Sequence, residues 1–168
     1  MTTIAFDGQY VAADKGIWAN GHIDKTTKIR VTTLTLEADQ PPERMIAVTY
    51  GSGAYGRAML KHYESYDYDA HAYKVAKPDW RGCEGFHADT GCLVLVTKQG
   101  VILDVAAEGW IITMEGHGPR GVYAAGGGRE MALGALLAGA SAQRAVEIAI
   151  EFSDYGGHGV TVHSIGEL

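Results

Sequence analysis

The sequence is short of the features that mark several large classes of protein. It holds two cysteines and fourteen lysines and arginines among 168 residues, and it has no unbroken apolar run of membrane-spanning length. Two thiols, Cys83 and Cys92, are too few for a disulfide framework, and with no leader pattern they are expected to stay reduced. Cys83, His87, Asp89 and Cys92 lie near one another in sequence but match no zinc spacing, so neither a metal nor a cofactor is expected. Cys92 reads instead as a small apolar residue opening a strand. The basic residues are scattered and the net charge is −6, which argues against a nucleic-acid footprint. No 18-residue apolar span and no basic start leading into an apolar core are present, so no membrane partner and a cytoplasmic location are expected. What the chain does have is a 46% hydrophobic content, enough for a sizeable core, and one domain over 1–168 is expected.

The first fourteen residues are the most informative stretch. Ile4 and Phe6 alternate with Thr3 and Ala5, Asp7-Gly8 suits the two positive-φ positions of a type I′ turn, and Gln9 to Ala13 form an apolar return strand. That register sets Phe6 opposite Gln9 and Thr2 opposite Ala13, with Asp14 one step beyond, beside the chain start. A hydroxyl and a carboxylate then converge at the open end of the hairpin. Met1 precedes a small residue, the context in which an initiator is removed, and Thr2 would then carry both a hydroxyl and a free α-amine. An α-amine with a pKa of about 8 is partly neutral near pH 7 and can accept the hydroxyl proton, so one residue supplies nucleophile and base.

Further along, 15–24 reads as a glycine-punctuated surface loop with Trp18 as its large anchor. Residues 25–36 alternate with β-branched side chains and read as a strand, Pro41-Pro42 as a turn, and 45–50 as a short apolar strand. Ser52 is placed to cap a helix over about 53–66, with Tyr55, Met59 and His62 or Tyr63 on one stripe. Residues 66–90 have no clean period and read as irregular, or as carrying one short helix. Two apolar strands, 92–97 and 101–105, form a hairpin suited to the middle of a sandwich. Shorter strands follow at 110–114 and 121–125. The triplet Gly126-Gly127-Gly128 then leads into a helix from Arg129 to about Ala140, and Ser141 caps a second from Ala142 to about Phe152. The apolar face of that second helix is read as Val146, Ile148, Ala149 and Phe152. Val160 to Val162 complete a sheet. Strands, helix, strands, two helices and a strand predict an α+β fold in which helices cover both faces of a two-sheet sandwich.

Five stretches together resemble the proteasome β-subunit and HslV-type peptidases, a family of N-terminal-nucleophile hydrolases. They are Thr2-Thr3-Ile4, Ala12-Ala13-Asp14, Thr27-Lys28-Ile29, the run Ile46 to Gly51, and Ala124 to Gly128, in the family's order and covering almost the whole chain. The resemblance implies a four-layer αββα sandwich, with a shortened or irregular second helix here. It also implies a threonine-type peptidase in which Thr2 is the nucleophile and its amine the proton acceptor. Asp14 would be the carboxylate, Lys28 the cation between them, and the backbone N–H of Val48 the oxyanion donor. Three positions depart from the family pattern, the first being Val48 itself, where the family usually has glycine. Gly127 stands where a serine is usual, and Asp154 is followed by Tyr155 where the family has a serine. The implied partners are a peptide or unfolded protein, a homo-oligomeric ring and an ATP-driven unfoldase, in a chain of bacterial or bacteriophage kind. Two alternatives stay open: a ring-forming structural or binding subunit that no longer cleaves, and an amidase of the same nucleophile class acting on a small amide.

Overall fold

The structure, a computed structural model, describes residues 2–19, 22–83, 86–87, 90–152 and 158–168, with the backbone alone at 17–19 and 22–24. In chain order the strands are β1 (Thr3–Phe6), β2 (Tyr10–Asp14), β3 (Gly16–Ala19), β4 (His22–Lys25), β5 (Ile29–Leu34) and β6 (Glu43–Thr49), followed by helix α1 (Gly53–Glu64). Two short strands, β7 (Tyr66–Asp67) and β8 (Ala72–Tyr73), and a 3₁₀ turn at Trp80–Gly82 precede β9 (Gly91–Val96), β10 (Ile102–Ala106), β11 (Ile111–Met114) and β12 (Tyr123–Gly126). Helices α2 (Arg129–Leu137) and α3 (Ala142–Glu151) and strand β13 (Val160–Ser164) complete the chain.

Two antiparallel sheets face each other, one in the order β12-β1-β2-β13 and the other β11-β10-β9-β6-β5. Strand alternation sorts the apolar residues into three layers of contact. Ile4 and Phe6 of β1, Val11 and Ala13 of β2, Ile46 and Val48 of β6, and Val94 and Val96 of β9 meet between the sheets. The residues between them on the same strands point outward. Met45, Ala47, Leu93 and Leu95 pack against Tyr55, Met59, Leu60 and Tyr63 of α1. Ala5 and Ala12 pack beneath Ala132 and Leu136 of α2 and Ala142, Ala145, Val146 and Ala149 of α3. Alanine on both sides of that last contact lets the helix pair lie close to the sheet. The result is the four-layer αββα sandwich.

Several local expectations differ from what is found. The first hairpin turns on Gly8 and Gln9, with Asp7 N–H donating to Tyr10 O at 3.2 Å, so Phe6 stands opposite Val11 and Ile4 opposite Ala13. Asp7 drives this shift. Its Oδ1 accepts from Gln9 and Tyr10 N–H at 3.0 and 2.8 Å, while Oδ2 accepts from Ala142 N–H at 2.8 Å and so ties the turn to the start of α3. A two-residue slip leaves every side chain on its expected face, and it brings Asp14 level with Thr3. The stretch read as a loop after Asp14 is a second hairpin, β3 with β4, pairing Gly16 with Lys25 and Trp18 with Ile23. Phe152 is 73% exposed rather than part of the α3 face, because α3 ends at Glu151 and Phe152 is its C-cap.

Between Tyr66 and Thr90 no α-helix occurs among the described residues. Aromatic packing organises the segment instead: Tyr73 stacks on His62 of α1 at 4.2 Å between ring centroids, and Tyr66 lies edge-on to Tyr73 at 5.0 Å. His62 Nδ1 and Val75 O are 2.6 Å apart, and Tyr73 hydroxyl donates to Thr35 O at 3.0 Å. In place of the shortened or irregular second helix that was expected, the described residues here form two short strands and the 3₁₀ turn at Trp80–Gly82.

Two glycines of opposite character give a stability test. A Cβ on Gly91 would lie 1.5 Å from the Tyr50 hydroxyl oxygen, which itself donates to Asp104 at 2.7 Å, so Gly91→Ala should destabilise the fold by about 3 kcal/mol or more through overpacking. A Cβ on Gly134, inside α2, would meet nothing within 4 Å, and Gly134→Ala should stabilise by about 0.5–1 kcal/mol. Urea unfolding of both variants checks the contrast.

Candidate functional site

The two sheets share one end at which three chain segments converge. Asp14, at the end of β2, is 2% exposed and accepts three hydrogen bonds. Oδ1 takes Thr3 N–H at 2.7 Å, and Oδ2 takes Gly16 N–H at 3.0 Å and Lys28 Nζ at 2.7 Å. Lys28 precedes β5 and is 7% exposed, and its carbonyl accepts Thr49 N–H at 2.9 Å, which fixes it against the end of β6. Thr2, 8% exposed, enters β1 directly beside them. Its carbonyl accepts Gly127 N–H at 2.8 Å. Gly126 and Gly128 are packing necessities here, since a Cβ on Gly126 would lie 2.0 Å from Thr2 O and one on Gly128 2.2 Å from Thr3 Oγ1.

Thr2, Gly16, Thr26 and Lys28 form one wall of a cleft of about 410 Å³, and Thr49, Gly51, Ser52 and Arg57 contribute to the other. Ser52 Oγ accepts Tyr55 N–H at 3.3 Å and caps α1, so the helix begins at the cleft wall with its amide end toward it. Gly51 has φ +65°, which turns the chain out of β6 and into that cap. Among the described residues no acceptor is bonded to Gly51 N–H.

The residues singled out from sequence therefore fall into three groups. Thr2, Asp14 and Lys28 come together, with Asp14 bonded directly to the other two segments, and Gly127 joins them through its backbone. Val48 does not. Its side chain is fully buried between the sheets, and it stands opposite Ile29 and Val94. Tyr50 N–H donates to Cys92 O, so by strand parity the Val48 N–H also points at β9, inside the ladder. A backbone donor facing the cleft has to come after β6 ends, and Gly51 occupies that place. Asp154 lies outside the described residues, as does Asp89. Thr49 and Arg57 were missed. The signal for them was the glycine-serine-glycine turn, which aims the start of α1 at the site.

Charge and burial are coupled at Lys28. Desolvation of its ammonium outweighs the opposing hydrogen bond and charge of Asp14, and holds its pKa below the ordinary 10.5. Cys92 is fully buried against α1, donates its Sγ–H to Val105 O at 3.2 Å, and is pushed up to about 12 by burial. A thiol so placed is neither nucleophile nor ligand. No group of three or more His, Cys, Asp or Glu side chains is clustered among the described residues, and none of their helices is long and apolar enough to cross a membrane.

No family model and no curated protein matches the sequence. Solved structures do match. HslV from Trypanosoma brucei superposes with a TM-score of 0.59 at 19% identity, covering 98% of each chain. Thiobacillus denitrificans BPH, alone and in complex with epoxomicin, superposes with a TM-score of 0.60 at 20% identity, covering 97% of this chain and 96% of the other. At such identity it is the fold that is shared.

Two outcomes follow for the ion pair. Lys28→Ala leaves the Asp14 carboxylate buried without its cation and should lower stability by about 3 kcal/mol, moderated by the two backbone donors that remain. Between the lowered Lys28 pKa and 10.5 the unfolded chain binds the proton more tightly than the native one, so the Lys28 contribution to stability rises with pH across that window. Unfolding free energies of native protein and Lys28→Met, compared from pH 8 to pH 10.5, should diverge in that direction; parallel curves would show Lys28 to be unperturbed.

Proposed function

Starting from the proteasome β-subunit and HslV-type fold of this chain, we propose that it is a threonine-type peptidase whose nucleophile is Thr2, exposed by removal of Met1. The observation that carries the reading is the Lys28–Asp14 pair, 2.7 Å apart and almost wholly buried, in the cleft that Thr2 lines. With Met1 gone, Thr2 carries a free α-amine in the cleft that Lys28 also lines. Like-charge repulsion lowers the amine pKa, so at neutral pH it is free to accept the Oγ1 proton.

Oγ1 then attacks the scissile carbonyl. The bond that forms is Oγ1–C, and the negative charge passes to the carbonyl oxygen, toward the Gly51 N–H and the amide end of α1. The protonated amine returns its proton to the leaving nitrogen as the C–N bond breaks, leaving an ester on Thr2. Water, deprotonated by the same amine, hydrolyses that ester and restores the hydroxyl. Asp14 keeps Lys28 charged and oriented throughout. The BPH structure with epoxomicin supports the reading as a protein of the same fold that holds such a ligand.

Assembly into a homo-oligomeric ring, fed by an ATP-driven unfoldase of another chain, belongs to the same proposal. Leu137 and Phe152 on the helical layer and Trp110 and Ile112 at the edge sheet are more than half exposed, apolar surface of the sort an assembly covers. A second reading, a ring-forming subunit that cleaves nothing, draws on Gly127, which brings only a backbone donor to the place where a hydroxyl could hold the Thr2 amine.

Intact mass of protein from its own host should lack Met1, and a fluorogenic peptide should be cleaved by that material. Thr2→Ala should abolish turnover while leaving the unfolding free energy within about 1 kcal/mol of the unchanged protein, and Lys28→Arg should lose at least a hundredfold in kcat, since a forked guanidinium cannot replace a compact ammonium. Turnover by protein that retains Met1 overturns the mechanism. Sedimentation as a monomer of 17.9 kDa at micromolar concentration removes the ring.

A further inference from the structure

The cleft does not end at Arg57. A second cavity, of about 510 Å³, shares Lys28, Thr49 and Arg57 with it and continues along α1 past Lys61 and Glu64 to Arg30 of β5. Five of the side chains around this extension are ionisable, and four are cationic. Two of the cations are already engaged: Lys28 with Asp14, and Arg30 with Glu64 at 2.5 Å. Glu64, the one carboxylate present, also accepts from Thr32 Oγ1 at 2.5 Å. Arg57 and Lys61 have no carboxylate within ion-pair distance among the described residues. A chain of net charge −6 therefore keeps two cations without acidic partners along one wall of a cavity that opens beside Thr2.

Arg57 is also badly placed for helix stability. It lies in the second turn of α1, near the positive end of the helix dipole, and the first turn contains no acidic residue to offset it. The helix cannot swing away to relieve this. A Cβ on Gly56 would lie 2.9 Å from Cys92 O and 3.1 Å from Thr49 Cβ, so α1 is pressed onto β6 and β9 at the residue preceding Arg57. Helix position thus holds Arg57, an exposed side chain that lines both cavities, at their junction.

We propose that this extension selects substrates with a carboxylate side chain on the residue whose carbonyl Thr2 attacks, aspartate or glutamate, and that Arg57 is the specificity-determining residue, assisted by Lys61. The inference rests on the peptidase reading of Thr2. A carbonyl seated at Gly51 puts the side chain of its own residue one Cα away, where the cavity leads past Thr49 to Arg57. A guanidinium and a carboxylate form paired, charge-assisted hydrogen bonds there. An amide of the same shape accepts from Arg57 but carries no charge, and an apolar side chain leaves the exposed guanidinium to water and gains no pairing.

The test uses peptides identical except for glutamate, glutamine, leucine or lysine at that residue. Fluorescence anisotropy measures their binding to the Thr2→Ala protein, and coumarylamide versions measure turnover by the protein lacking Met1. The glutamyl peptide should bind at least tenfold more tightly than the glutaminyl one. That ratio should fall toward one in Arg57→Ala, be partly kept in Arg57→Lys, and turn in favour of the lysyl peptide in Arg57→Glu. Selective binding without turnover of any peptide would sink the peptidase reading while leaving the selectivity standing. Equal binding of glutamyl and glutaminyl peptides, binding of none, or a ratio unchanged in Arg57→Ala would overturn the inference.

Discussion

One carboxylate couples the two sheets. Asp14 belongs to the β12-β1-β2-β13 sheet, holds Thr3 N–H of the neighbouring strand and Gly16 N–H of the chain leaving it, and reaches Lys28 at the entrance to the other sheet. Most of the remaining contact between the sheets is made by apolar side chains, which are tolerant of small shifts. A hydrogen-bonded ion pair is not tolerant: with both partners buried, a displacement of an ångström leaves charge unsolvated. The pair therefore sets the spacing of the sheets at the end where Thr2 lies. Residues that have no chemistry of their own then follow from it, including the glycines that allow β12 to close on Thr2 and the Thr49–Lys28 backbone bond that anchors the cation.

Much of this was legible in the sequence because it rests on period and punctuation. Unbroken apolar runs at 45–50 and 92–97 read as a short strand and as a strand for the middle of a sandwich, and in the structure Met45 and Ala47 part from Ile46 and Val48, as Leu93 and Leu95 do from Val94 and Val96, into different layers. Ser52 and Ser141 both cap the helices expected of them, at 3.3 and 3.2 Å from Tyr55 and Arg144 N–H. The convergence of Thr2, Asp14 and Lys28 survived an error in register, because two residues is a full period of a strand and leaves side-chain direction unchanged. A slip of one would have sent Asp14 to the opposite face of its sheet.

The rest was illegible for reasons specific to each place. Asp7 looked like a turn residue, and nothing local could reveal that its second oxygen is used by Ala142, far along the chain. The β3–β4 hairpin was hidden by glycines and mixed polarity, although Asn20-Gly21 between the two strands is the dipeptide that most favours a two-residue hairpin connection. The stretch from Tyr66 is held by aromatic rings on a helix earlier in the chain, so it has no period to find. Val48 was assigned from a motif that counts residues along a strand, whereas donor direction depends on which neighbour each residue faces. That parity is known only once Tyr50 N–H is seen bonded to Cys92 O.

Stability and chemistry pull against each other at Lys28, and the structure shows how the conflict is contained. Burying an ammonium is unfavourable, and the depressed pKa records that Asp14 does not fully offset it. An exposed lysine would avoid the penalty but would be screened by water, so it could do little to the proton affinity of a neighbouring amine. The same low-dielectric surroundings that raise the cost of the charge are what let it act over a few ångströms. Two backbone donors on Asp14 are therefore more than scaffolding. They keep the carboxylate in place and partly satisfied without a second cation, so that its field is directed to Lys28. A surface equivalent of this pair, such as Arg144 with Glu147 and Glu151 on α3, has ample charge but half-exposed side chains, and water screens it to little effect on the helix. Burial separates the two cases: it makes one pair an ornament of a helix and the other the pivot of a cleft.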